Sequence, residues 1–215
     1  RDMSRLVLIG AWAWYSRHPG SFGAELVREP FAPTMSFRRA IEEVDIWRKR
    51  IELAAALGEG IADPWYPAGE ALGYGFVPLL TIEDFLAEAR TMDNCLDQYA
   101  MQVRGEASRI YSIRKGEARV GDVEIGPHKD ERTTPVIVQL RGPGNRRAPP
   151  VLWQATYAWL SQQNYRPLVV LVDGAAQTRT KLVLKRIWEP LLTGIKATPH
   201  RASIEAFLKN GELWV

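Results

Sequence analysis

Apolar residues recur at steps of three and four between Ser36 and Gly58: Phe37, Ile41, Val44, Trp47 and Ile51. This is the period of a helix with one buried stripe, and Ser36 as N-cap with Gly58 just past the end predicts a helix over 36–57. Residues 3–17 are apolar on nearly every side, with Trp12 and Trp14 in the middle, and read as a mostly buried helix stopped by His18-Pro19-Gly20. The Gly- and Pro-rich stretch from 58 to 78 reads as an irregular connection and a candidate boundary, with Trp65 and Tyr66 anchoring it to a core. Thr81 followed by Asp84 marks a helix start, although Glu or Gln is the usual partner in such a box. A further helix is expected to carry Met92, Cys95, Tyr99 and Gln102 on one face, with Leu96, Ala100 and Val103 beside them, ending at Gly105.

The period then changes from helical to alternating. RIYSIR (109–114), RVGDVEI (119–125) and PVIVQLR (135–141) read as three strands, reversed at Lys115-Gly116-Glu117 and over 126–134, which makes an antiparallel meander. In the third, strict alternation places Val136, Val138 and Leu140 on one face and Ile137, Gln139 and Arg141 on the other. Pro149-Pro150 opens a helix to about 163, PLVVLVD (167–173) reads as a buried strand, and helices are expected over 178–194 and 203–209. The fold class is α+β: an antiparallel β-sheet flanked by helices, with a helical N-terminal region. The expected organisation is a helical part over 1–57, a connection over 58–76 and an α+β domain over 77–215.

Composition narrows the function classes. Hydrophobic residues make up 46% of the chain and charged residues 25%, which suits a folded domain rather than disorder. The longest apolar run, 6–15, is too short to span a bilayer, so no membrane association is expected. A single cysteine excludes an internal disulfide framework and a cysteine-built zinc site, and implies a cytoplasmic setting. His18, His128 and His200 have no metal-site spacing, so neither metal nor cofactor is expected. The chain opens at Arg1 rather than at a methionine, as expected of a fragment or processed form. The net charge of +3 is small, but it is unevenly spread: RGPGNRR (141–147) and TRTKLVLKR (178–186) contain no acid.

Several motifs in a fixed order bear on function. Cys95 and Tyr99 lie on one predicted helix and are followed by Gly105; Tyr111 and Arg114 lie on the first strand and Glu124 on the second. Gln139, Gly142 and Asn145 form a Gln-x-x-Gly-x-x-Asn segment. This order, over residues 77 to 163, resembles the PcfJ-like family of bacterial conjugative plasmids and mobile elements. Asp93 and Asn94 stand where family members often have histidine, and Asp122 where threonine is common. The resemblance implies a mobile-element setting and no established reaction.

Three function classes follow. In a nucleic-acid-binding accessory protein, Arg114, Gln139, Arg141, Asn145, Arg146 and Arg147 meet phosphates or bases of a single strand. Tyr99 or Tyr111 stacks, and Arg179, Lys181 and Lys185 track the backbone. In a cysteine-dependent enzyme, Cys95 is the nucleophile, activated by a helix N-terminus or a nearby arginine. In a scaffold, Trp12, Trp14 and Trp47 of the N-terminal helices meet a protein partner. The preferred reading packs Cys95 with Tyr99 against the sheet, beside a polar pocket that carries the function.

Overall fold

A computed structural model describes residues 2–104, 107–164, 167–168, 174–198 and 201–210. Two compact units are present, residues 1–58 with the chain from 174 onward, and residues 59–173. The sequence reading placed everything after 77 in one domain; in the structure the C-terminal helices belong to the same unit as the N-terminal ones.

The helical unit contains α1 (Asp2–Tyr15), α2 (Phe22–Glu25), α3 (Phe37–Leu57), α7 (Gly174–Gly194) and α8 (Arg201–Asn210). The Ser36 hydroxyl accepts from Arg39 N–H, and Gly58 takes a positive φ just past α3, as the sequence predicts. The stripe is shorter than expected, because Phe37 is 65% exposed, while Val44, Trp47 and Ile51 are buried. Trp12, Tyr15, Trp47 and Trp188 fill the centre, with Trp47 and Trp188 edge to face at 5.6 Å and the Trp47 indole donating to the Gly23 carbonyl at 2.9 Å. Trp12 and Trp47 are therefore core residues.

The sheet unit contains β1 (Gly69–Ala71), β2 (Tyr74–Pro78), α4 (Ile82–Met92), α5 (Ala100–Val103), β3 (Arg109–Lys115), β4 (Ala118–Pro127), β5 (Pro135–Arg141) and α6 (Pro150–Ser161). The five strands form an antiparallel meander in sequence order. β1 and β2 make a hairpin where an irregular connection was expected. Its two turn residues, Leu72 and Gly73, both have positive φ, as a tight right-twisted hairpin requires. Leucine is a poor signal for that conformation, which hid the turn.

One face of the sheet packs on α6. Trp159 stacks on Phe76 at 4.6 Å and tilts against Tyr111 at 4.8 Å, over Ile113, Val123, Ile125 and Leu140. The opposite face carries α4, capped by a reciprocal Thr81–Asp84 box. The 59–66 stretch is fastened from β3: the Tyr111 hydroxyl donates to the Pro64 carbonyl, and buried Arg109 donates to the Asp63 carbonyl at 2.6 Å and lies over the Trp65 ring. Trp65 and Tyr66 are buried as expected. The strand predicted over 167–173 falls mostly outside the described residues.

β5 departs from strict alternation. Ile125 pairs with Ile137 and Glu124 with Gln139, which leaves Val138 as an extra residue without a β4 partner. Ile137 consequently joins Leu140 on the apolar face instead of pointing with Gln139 and Arg141, and Val138 is 53% exposed. Among the described residues no helix is long and apolar enough to cross a membrane.

Candidate functional site

The helix expected to carry Cys95 is interrupted. α4 ends at Met92, Asp93 adopts a left-handed conformation (φ 50°, ψ 54°), and the Asn94 side chain accepts from Leu96 N–H at 3.1 Å. Asp and Asn tolerate such turns because their short side chains bond their own backbone. Cys95 thereby caps a single 3₁₀ turn (Leu96–Gln98), and α5 follows. Met92 is buried and Cys95 exposed, so the two do not share a packed face, and Cys95 is not the core thiol the sequence suggested.

The turn sets Cys95 and Tyr99 over the α4 face of the sheet. There β4 presents Asp122 and Glu124, β5 presents Gln139 and Arg141, and the turn after β5 brings Asn145, itself at φ 56°. With Asn94, Leu96 and Ile110 these residues line one narrow cleft of about 20 Å³, room for a single water.

Gln139 organises the cleft. Its amide N–H groups donate to the Tyr99 hydroxyl at 2.5 Å and to Glu124 Oε2 at 2.7 Å, and its carbonyl oxygen lies 3.5 Å from Arg141 Nε. Glu124 is only 7% exposed, and its other oxygen has no hydrogen-bond partner among the described residues. Burial, opposed by the Gln139 hydrogen bond and reinforced by the Glu124 charge, pushes the Tyr99 phenol above its usual range, so it stays an O–H donor at neutral pH. The Asn145 amide points at Cys95 Sγ, 3.7 Å away.

At the cleft wall Asp122 meets Glu88, which lies behind it, in a carboxyl pair. Ser112 donates to Glu88 Oε1 at 2.8 Å and Asn94 donates to Asp122 Oδ2 at 2.8 Å. Asp122 Oδ1 has no donor, and Glu88 Oε2 has only the Arg119 guanidinium at 3.3 Å, without an aligned hydrogen bond. One proton shared between the two acids satisfies both oxygens. Burial, then the charge of Glu88 and a hydrogen bond to it, push the Asp122 carboxyl up to about 8, against the Asn94 hydrogen bond and Arg119. Glu88 is the member of the pair with the hydroxyl donor and the cation.

Of the residues singled out in the sequence, Cys95, Tyr99, Gln139, Arg141 and Asn145 line the cleft. Arg114 does not: half-buried on β3, its Nε lies 3.4 Å from Ser112 Oγ. Arg146 and Arg147 are exposed in the turn beside the cleft, Arg146 donating to the Pro143 carbonyl at 2.9 Å. Lys181 and Lys185 are exposed on α7 of the helical unit, and the Arg179 side chain lies outside the described residues. The sequence reading passed over Asn94, Asp122 and Glu88 as site residues and held Glu124 only as part of a motif. The alternation of VGDVEI already put Asp122 and Glu124 on one face; nothing local marked Glu88, whose partners come from the sheet. Among the described residues no three His, Cys, Asp or Glu side chains are placed to hold a metal ion. No family model, curated protein or solved structure matches the chain.

Proposed function

We propose that the chain is a cytoplasmic, single-strand nucleic-acid-associated accessory protein of a bacterial mobile element, and that its sheet unit meets the phosphate backbone through Arg141, Arg146 and Arg147. The observation that carries this reading is the acid-free 141–147 turn, whose three exposed arginines stand beside a polar cleft. Arginine forks suit phosphate, and a Gly-rich turn adds backbone N–H groups. The order of motifs over 77–163, similar to PcfJ-like proteins, supports the setting. Lys181 and Lys185 add cationic surface on the helical unit.

Phosphate binding releases counterions, so affinity for a fluorescent single strand falls steeply between about 50 and 200 mM salt, and each lost phosphate contact flattens the log–log slope by a little under one unit. An Arg146→Ala, Arg147→Ala double variant therefore lowers the slope by roughly one to two units. No binding at low salt, or a slope indifferent to the double variant, removes this reading.

A second reading rests on the exposure of Cys95 at the cleft wall beside the Asn145 amide. A nucleophilic thiol there makes the protein a cysteine-dependent enzyme. Among the described residues no histidine lines the cleft to serve as its base.

A further inference from the structure

We infer that the outer side of α6 is a stacking platform, on which bases of the bound single strand lie against Tyr157 and Trp153 while Arg147 holds an adjoining phosphate. This rests on the nucleic-acid reading above and adds where the bases go.

The inner side of α6 belongs to the core: Leu152, Ala155, Thr156 and Trp159 are buried, and the Trp159 ring meets Phe76 and Tyr111. The outer side keeps aromatic surface in the open. Tyr157 is 59% exposed and Trp153 half-buried. Four residues apart on one helix, the two rings are neighbours, with centroids 6.0 Å apart and planes tilted by 34°. A lone exposed tyrosine is ordinary. Here the two rings line an open hollow of about 800 Å³, whose other walls include Arg147, Pro149, Pro150 and Gln154. An adjoining hollow of about 610 Å³ shares both rings. The Cys95 cleft, by contrast, admits one water.

Charge names the occupant. Among the described residues no acid lines either hollow, and from Arg132 to Val172 the chain carries five arginines and no Asp or Glu. Aromatic faces set among cations are the combination that single strands require, since every base has a face to stack and every phosphate a charge to neutralise. Arg147 stands in the same wall as the rings, so one hollow offers both contacts. The exposed Gln154 amide adds a donor and an acceptor for a base edge.

The test compares two fluorescent DNA strands of equal length and phosphate count, one with mixed bases and one abasic, bound to the full chain at fixed low salt. Wild type is expected to bind the base-bearing strand about tenfold more tightly, within the range for one base stacked on an aromatic ring. Tyr157→Ala removes the exposed ring and is expected to bind both strands as wild type binds the abasic one. Tyr157→Phe keeps the ring and is expected to keep the preference. Both variants are confirmed folded by circular dichroism, and both retain the wild-type salt slope because the arginines are untouched. Equal wild-type affinities for the two strands, the result expected of a groove built for a protein partner, overturn the inference. A base preference that survives Tyr157→Ala, or that is lost in Tyr157→Phe, overturns it too, and each of these outcomes leaves the phosphate reading intact. If neither strand binds, both readings fall.

Discussion

The Glu88–Asp122 pair makes the stability of the sheet unit depend on pH in a direction opposite to that of most carboxylates. An unfolded aspartate releases its proton near pH 4, whereas folded Asp122 holds one to about 8. Between those values the native state binds one proton more than the unfolded chain. The stabilising effect of that proton is complete below about pH 4 and is lost as pH rises through 8, at about 1.4 kcal/mol per unit. Asp122→Asn removes the need for the proton, since the new amide oxygen accepts from Asn94 and its N–H donates to Glu88. Other titrations cancel when variant and wild type are subtracted. The variant is therefore expected to gain about 2 kcal/mol on wild type as pH rises from 6 to 8, a little under two units at the rate above because the loss slows near 8. Denaturant unfolding of the intact chain, read by hydrogen exchange of the β3 and β4 amides, measures this unit alone. A difference that stays constant from pH 6 to 8 would refute the shared proton.

Two further outcomes follow from burial. Cys95 is exposed, so it is expected to react with a thiol reagent in the folded state within the time a free thiol takes, and Cys95→Ser should change stability by no more than about 0.5 kcal/mol; labelling that requires denaturant would show the thiol to be covered. Trp159 is fully buried against Phe76 and Tyr111, so Trp159→Ala should cost about 3 to 5 kcal/mol in an unfolding titration, and a cost under about 1 kcal/mol would mean that α6 does not hold the sheet as described.

Elements whose information is local were legible in the sequence. α3 was readable at both ends because Ser36 and Gly58 act on adjacent backbone, and β3, β4 and β5 were readable as strands from alternation and turn residues, though the faces of Ile137 and Val138 were not. The break after α4 was not, because Met92, Cys95 and Tyr99 keep helical spacing while the positive φ of Asp93 redirects the chain. The cleft was half legible. Gln139 and Asn145 stood out beside basic residues, but Glu88 and Asp122 reveal themselves only when α4 lies on the sheet and their oxygens meet. The unit to which α7 belongs was hidden for the same reason: its Leu184, Ile187, Trp188 and Leu191 stripe announces a buried face without naming what buries it.

The extra residue at Val138 also acts as a register lock. Strands whose two faces alternate without interruption can slide by two residues and still keep apolar side chains together. β5 has no such freedom, because its alternation reverses at one point, and that point must fall between the β4 residues Glu124 and Ile125. A slide of one residue exchanges the faces of both halves of the strand. A slide of two moves the reversal away from its place and parts Gln139 from Glu124. The same irregularity that returns Ile137 to the apolar layer thus fixes, to the residue, where the Gln139 amide stands between phenol and carboxylate.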